Sequence, residues 1–178
     1  MSQETPSLPI LAITGSSGSG KTTLIERLIQ GVSGRGLRVG AVKRSHHQVD
    51  VDTAGKDSHR FREAGANPVA LAGDGLFFFT EKTKEIFDPA LIERWFAGKA
   101  DIVIMEGFKS ESVPRLQFTD LTHLPEKNDN HTMGFITAET LTDFSHGFGG
   151  KPVFHRDDAD GIGEWLVESF ITRFRKSI

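Results

Sequence analysis

The sequence predicts an α/β fold, a mostly parallel sheet flanked by helices with an added antiparallel β-hairpin. Three observations lead there. A short apolar run at residues 10–14 meets a glycine loop and then a helical stripe, and a second apolar run at 37–42 follows directly, which is the opening of a βαβ unit. Residues 101–106 form another apolar run, placed after a helical segment and ending in an acid, as a buried parallel strand does. Between them, Asp74-Gly75 separates the runs 69–72 and 76–80, and both turn residues tolerate positive φ, the mark of a hairpin.

The elements follow in order. Leu24, Ile25, Leu28 and Ile29 repeat at helical spacing through residues 22–30, and Gly34-Arg35-Gly36 closes that helix. Residues 55–64 are polar but largely free of breakers, so Asp57 or Ser58 caps a short helix that stops at Gly65. Asn67-Pro68 then releases the chain into the hairpin, whose Phe77-Phe78-Phe79 reads as a packed strand in preference to an aromatic ligand platform. Asp88-Pro89 starts a further helix running through Phe96 to Gly98. Residues 110–130, rich in Pro, Asn, Asp and Ser, read mainly as a long loop with an extended piece at 115–118. Two last strands are expected at 133–137 and 152–155. A helical core stripe of Ile162, Trp165, Leu166, Phe170, Ile171 and Phe174 then runs to the end.

A chain of 178 residues suits one domain over 1–178, with residues 1–8 as a flexible lead. The absence of cysteine excludes disulfide scaffolds and thiolate metal sites and permits a reducing compartment, so a cytoplasmic location is expected. No signal peptide is readable in residues 1–9, and no apolar run approaches the roughly 20 residues that span a bilayer. A net charge of −3 disfavours broad binding to nucleic acid, so small anionic ligands are expected, with neither nucleic acid nor membrane as partner.

Residues 15–22 read Gly-Ser-Ser-Gly-Ser-Gly-Lys-Thr and match G-x-x-x-x-G-K-[ST], placed after a strand and opening a helix. In that setting Gly15, Ser16, Gly18, Ser19 and Gly20 turn backbone N–H groups toward an anion. The helix N-terminus adds a favourable field, Lys21 places a point charge on the β and γ phosphates, and Thr22 faces Mg2+. This is the signature of a P-loop NTPase fold binding a nucleoside triphosphate. Glu106 ends its strand where a second carboxylate would hold Mg2+, directly or through water; the plainer reading is an acid pointing into solvent. Lys43, Arg44, His46, His47, Asp50 and Asp52 follow the second strand, at the carboxyl edge where open α/β sheets bind ligands. One reading makes Lys43 and Arg44 phosphate clamps, His46 or His47 a ligand contact, and Asp52 a Mg2+ partner or water-orienting acid. The other makes the segment a solvated charged loop. The guanine-reading Asn-Lys-x-Asp motif is absent, and Thr137-Ala138-Glu139 is a candidate approach to a base.

These residues together resemble the MobB family of molybdopterin-guanine dinucleotide biosynthesis adapter proteins over nearly the whole length. The resemblance rests on the P-loop, on Lys43-Arg44-Ser45-His46-His47 with Asp50 and Asp52, on Gly55-Lys56-Asp57-Ser58 leading to Arg62-Glu63-Ala64-Gly65-Ala66, and on Glu106-Gly107-Phe108-Lys109 followed by Pro114. It implies a homodimeric GTP-binding protein of low GTPase activity that assists a MobA-type guanylyltransferase in joining GMP to molybdopterin. It implies GTP, Mg2+ and molybdopterin or its guanine dinucleotide as ligands. Gly18, Gly20, Lys21, Thr22 and Thr23 then carry the phosphate role, and Thr22 with Glu106 the Mg2+ role. His47, Asp52, Lys56 and Asp57 sit in the family block near the active face, and Lys21, Asp52 and Glu106 are the candidates for hydrolysis. Arg115 stands where Lys is expected and Arg44 where His is frequent; both keep a cationic or donor group. Two other P-loop functions fit the motif alone: a small-molecule kinase with Asp52 as base and Arg60 or Arg62 as clamps, and an accessory GTPase for metal insertion.

Overall fold

In the computed structural model, described for residues 8–45, 52–82, 89–109, 112–120, 129–140 and 148–176, the run expected first is β1 (Ile10–Thr14), with all five residues buried. The glycine loop leads into α1 (Lys21–Gly34), which buries Leu24, Ile25, Leu28 and Val32 on one face. β2 (Val39–Lys43), β5 (Ile102–Glu106), β6 (Arg115–Phe118), β7 (Thr132–Thr137) and β8 (Val153–His155) join β1 in a six-stranded sheet of order β2-β5-β1-β6-β7-β8. Every pairing is parallel, so all six carboxyl ends, and the P-loop after β1, share one edge. α3 (Pro89–Phe96) precedes β5. Leu11, Ile13, Ile102, Ile104, Leu116 and Ile136 from the strands pack with Leu24, Leu28 and Val32 of α1 and with Ile162 and Leu166 from the C-terminal helix. Each such side chain stabilises the fold by roughly 1.5–3 kcal/mol through removal from water.

The C-terminal stripe is helical but not uniformly α. α4 (Ala159–Trp165) passes into a π-helical segment, Leu166–Ile171, and returns to the α form in α5 (Thr172–Lys176). The wider turn lets Ile162, Leu166, Phe170 and Ile171 all face the core, where a continuous α-helix would carry the later residues off the buried face. Asp158 caps α4 by accepting from Gly161 N at 3.0 Å.

The chain divides into two compact units, Met1–Arg44 with Pro89–Ile178, and Ser45–Asp88. The second unit holds α2 (Asp57–Glu63) and the hairpin of β3 (Val69–Gly73) and β4 (Leu76–Thr80), paired antiparallel from Val69↔Thr80 to Gly73↔Leu76. One expectation is sharpened and two change. The extended piece expected at 115–118 is a fully integrated strand, and Leu116 is wholly buried between β1 and β7. Neither Asp57 nor Ser58 caps α2: Lys56 takes that position without a side-chain bond, and Asp57 lies in the first turn, where an acid complements the helix dipole. The hairpin is not packed as expected of its Phe run, since Leu76 and Phe77 are 71% and 68% exposed. The expected start of α3 at Asp88 and the lead 1–7 lie outside the described residues; Leu8, the last of the expected lead, is buried.

Candidate functional site

The cradle is built by backbone conformations that only glycine adopts without strain. Gly15, Gly18 and Gly20 have φ of 152°, 75° and 95°. Gly15 also lacks room for a side chain, because a Cβ there would stand 2.6 Å from Phe118 Cβ on β6. The short strand β6 therefore forms the floor of the loop. Lys21 Nζ donates to the Ser16 carbonyl at 2.5 Å and to Ser19 Oγ at 3.4 Å, so its ammonium lies folded along the loop. Thr22 and Thr23 follow in the first turn of α1, whose free N–H groups favour an anion.

Across the edge, Thr22 Oγ1 donates to Glu106 Oε2 at 2.9 Å, joining residues 84 positions apart. The register that pairs Lys43 with Glu106 at the ends of β2 and β5 brings Lys43 Nζ to 3.3 Å from Glu106 Oε1. Glu106 is thus flanked by a hydroxyl on one oxygen and a cation on the other. Arg44 N donates to the Glu106 carbonyl at 3.1 Å, and its guanidinium lies 5.7 Å from the centre of the buried Phe108 ring. Phe108 holds φ at 60°, an unusual value for a non-glycine residue, and Arg115 donates to the carbonyl of Lys109 next to it. The loop after β5 is held from both sides.

The donor set fits Mg2+. Thr22 hydroxyl and Glu106 carboxylate are hard oxygen ligands that converge, and among the described residues no three His, Cys, Asp or Glu gather into a protein-only metal cage. Mg2+ takes few protein oxygens and completes its shell with water and phosphate.

Of the sequence candidates, Gly15, Ser16, Gly18, Ser19, Gly20, Lys21, Thr22, Thr23, Lys43, Arg44 and Glu106 belong to the first unit. His46 and His47 lie outside the described residues. Asp52, Lys56 and Asp57 belong to the second unit. There Asp52 accepts from Ser58 Oγ and Thr53 N, each at 2.9 Å, and pairs with Arg62 at 3.3 Å. Its carboxylate organises the approach to α2. Asp57 is largely exposed, 3.7 Å from Arg60.

Sequence reasoning missed the residues after β6 and β8. Beside the P-loop, Ser16, Ser19, Asp120, Thr137, Glu139 and Arg156 line a cavity of about 330 Å3. Gly18, Gly20, Thr23, Arg27, Arg156 and Asp157 line a second of about 200 Å3. The rule that strand carboxyl ends carry ligands would have found Arg156 and Asp157.

A family model described as molybdopterin guanine dinucleotide synthesis protein B matches residues 10–138. The molybdopterin-guanine dinucleotide biosynthesis adapter protein of Haemophilus influenzae is 44% identical over 61% of this chain and 62% of its own length, so that match spans about three fifths of the relative. The adapter protein of that name in Escherichia coli is 38% identical over 90% of this chain and 93% of its own. A crystal structure of Bacillus subtilis MobB superposes with a TM-score of 0.69 at 30% identity, covering 90% of this chain and 97% of that one. With the P-loop, the Thr22–Glu106 contact and the parallel sheet in place, these likenesses establish that the chain belongs to the MobB family, the adapters of molybdopterin-guanine dinucleotide biosynthesis.

Proposed function

We propose that the chain binds GTP with Mg2+ at residues 15–23 and serves, with weak GTPase activity, as accessory to a MobA-type guanylyltransferase that attaches GMP to molybdopterin. The observation that carries the proposal is the 2.9 Å contact between Thr22 Oγ1 and Glu106 Oε2 at the mouth of the P-loop. Backbone N–H groups of the loop receive phosphate oxygens, and Lys21 exchanges its Ser16 carbonyl for the β and γ phosphates. Thr22 and Glu106 would hold Mg2+, which when bound neutralises charge between the terminal phosphates. Hydrolysis also requires an oriented water. Of the two acids assigned to the reaction, Glu106 is engaged by Thr22 and Lys43, and Asp52 by Ser58, Thr53 and Arg62. That supports slow turnover unless a partner completes the site.

The pterin, as molybdopterin or its guanine dinucleotide, is assigned to the segment bearing Lys43, Arg44, His47, Lys56 and Asp57, on the strength of its cationic and hydrogen-bonding side chains. The homodimer draws support from the second unit: an isolated two-stranded hairpin is marginal in water, and this one exposes Leu71, Leu76 and Phe77, a surface suited to a second copy. A cytoplasmic location agrees with a cysteine-free chain in which no helix among the described residues is long and apolar enough to cross a membrane.

Titration with a fluorescent GTP analogue and Mg2+ tests the proposal. Lys21→Ala should weaken binding about tenfold or more, the scale of a lost charge-assisted phosphate contact. Wild type should raise the partner's rate of dinucleotide formation, and Lys21→Ala should not. Full affinity in Lys21→Ala, or no effect of wild type on the partner, would refute it.

A further inference from the structure

We propose that the 200 Å3 pocket between the first turn of α1 and the residues after β8 is the nucleobase site, and that Asp157 is the residue selecting guanine; this rests on the triphosphate reading above. Direction comes first. Thr22, Glu106 and Lys43 mark the Mg2+ end of the phosphate chain, and Glu106 and Lys43 end β5 and β2, on one side of β1. With the phosphates anchored in the loop after β1, the nucleoside extends to the other side, across the ends of β6, β7 and β8. Size agrees with that placement. The pocket lies below the roughly 300 Å3 at which sites for whole drug-sized ligands begin, so it suits a base more than a complete nucleotide.

The lining supplies the chemistry. Gly18 and Gly20 leave backbone uncovered, Thr23 presents a hydroxyl, and Arg27 and Arg156 bring two guanidinium groups. Among the described residues neither guanidinium forms an ion pair, so both are available to a purine face or to the α-phosphate. Arg156 lines both cavities, and its backbone N–H donates to the Thr137 carbonyl at 2.7 Å, which ties the end of β8 to that of β7. His155 reinforces this tie with Nε2 3.3 Å from the Ala138 carbonyl, and its Nδ1 accepts from Asp157 N at 3.3 Å. The Asp157 carboxylate is two-thirds exposed and 3.6 Å from His155 Nδ1, leaving oxygen lone pairs for a ligand.

Guanine presents N1–H and the 2-amino group side by side, two donors that one carboxylate accepts together. Adenine presents a bare N1 at the same edge and repels it. Glu139 and Asp120 are carboxylates on the same side of β1, but they line the neighbouring cavity, whose lining includes no residue of α1. Asp157 alone among the three shares its pocket with the helix that receives the phosphates.

The test is calorimetric titration of the full chain with GTP, ATP and XTP in Mg2+, for wild type, Asp157→Asn and Glu139→Gln. Wild type should prefer GTP. Asp157→Asn should weaken GTP about tenfold or more, change ATP by less than about twofold, and gain XTP about tenfold, because the amide donates to the xanthine 2-oxo group. Glu139→Gln should keep the guanine preference. The assignment is overturned if Asp157→Asn keeps that preference, loses ATP in step with GTP, or gains no XTP, or if Glu139→Gln abolishes the preference instead. A wild type binding GTP and ATP equally overturns the guanine reading itself, and one binding neither overturns the triphosphate reading.

Discussion

Asp129 shows how one residue, through its carboxylate and its carbonyl, ties two strands to the approach to a third. Its carboxylate accepts from Thr132 Oγ1 at 2.6 Å and from His131 N at 2.9 Å, it lies 3.7 Å from Arg115 Nε, and its carbonyl receives Lys151 Nζ at 2.7 Å. The starts of β6 and β7 and the approach to β8 thus meet at one residue. The Thr132 hydroxyl, then the His131 N–H and the charges of Arg115 and His131, hold its carboxyl below the ordinary carboxylate range against the opposing effect of burial. Because the folded pKa is depressed, the stabilisation is fully present above the unfolded value of about 3.9 and disappears as pH falls through the lower, folded value. Urea midpoints of wild type should therefore drop across that acid window. Asp129→Asn, less stable at neutral pH, should drop less across it; parallel curves would remove Asp129 from the account. At this scale the positive-φ glycines of the loop were legible from their fixed spacing, and the meeting of Thr22 with Glu106 from an acid at the end of a strand. Asp157 was not, because nothing local distinguishes an acid after a strand from any surface acid.

Among the elements, β2 and α3 are fitted to each other through an absence. A Cβ at Gly40 would overlap the Phe96 ring, stand 2.6 Å from its Cε1, and reach within 3.2 Å of Val103 Cγ2. The end of α3 therefore rests directly on the sheet. Gly40→Ala should cost about 1–3 kcal/mol of stability through overpacking, read as a lower denaturant midpoint with an unchanged slope; an unchanged midpoint would mean that Phe96 turns aside freely. Strongly periodic elements were readable from sequence: β1, the hairpin runs and α1 fall within a few residues of expectation. β6 was readable only as an extended piece within a loop, because four residues with two polar ones, Arg115 and Gln117, do not reveal that they sit at the centre of the sheet. The π turn at Leu166–Ile171 left the apolar stripe intact while changing the helix that presents it, so periodicity could not reveal it.

For the first unit as a whole, β6 is, among the described residues, the strand joining β2-β5-β1 to β7-β8. Leu116→Ala, at its fully buried centre, should cost about 2–5 kcal/mol. Hydrogen exchange should show amides of β7 and β8 losing protection before those of β5, whereas uniform loss would mean that the sheet opens as one body. The parallel order has a consequence in time as well. Each of the five pairings in this sheet joins strands brought together by a crossover, so no tight turn zips one strand onto the next and loop-closure entropy opposes each step before contact rewards it. A chain emerging from the ribosome can assemble β1, β2 and β5 once Glu106 is clear, but must wait for Phe118 before the later strands have a template. Until then the free edge of β1, directly beneath the glycine loop, stands open to wrong partners, and the loop lacks the floor that Phe118 supplies.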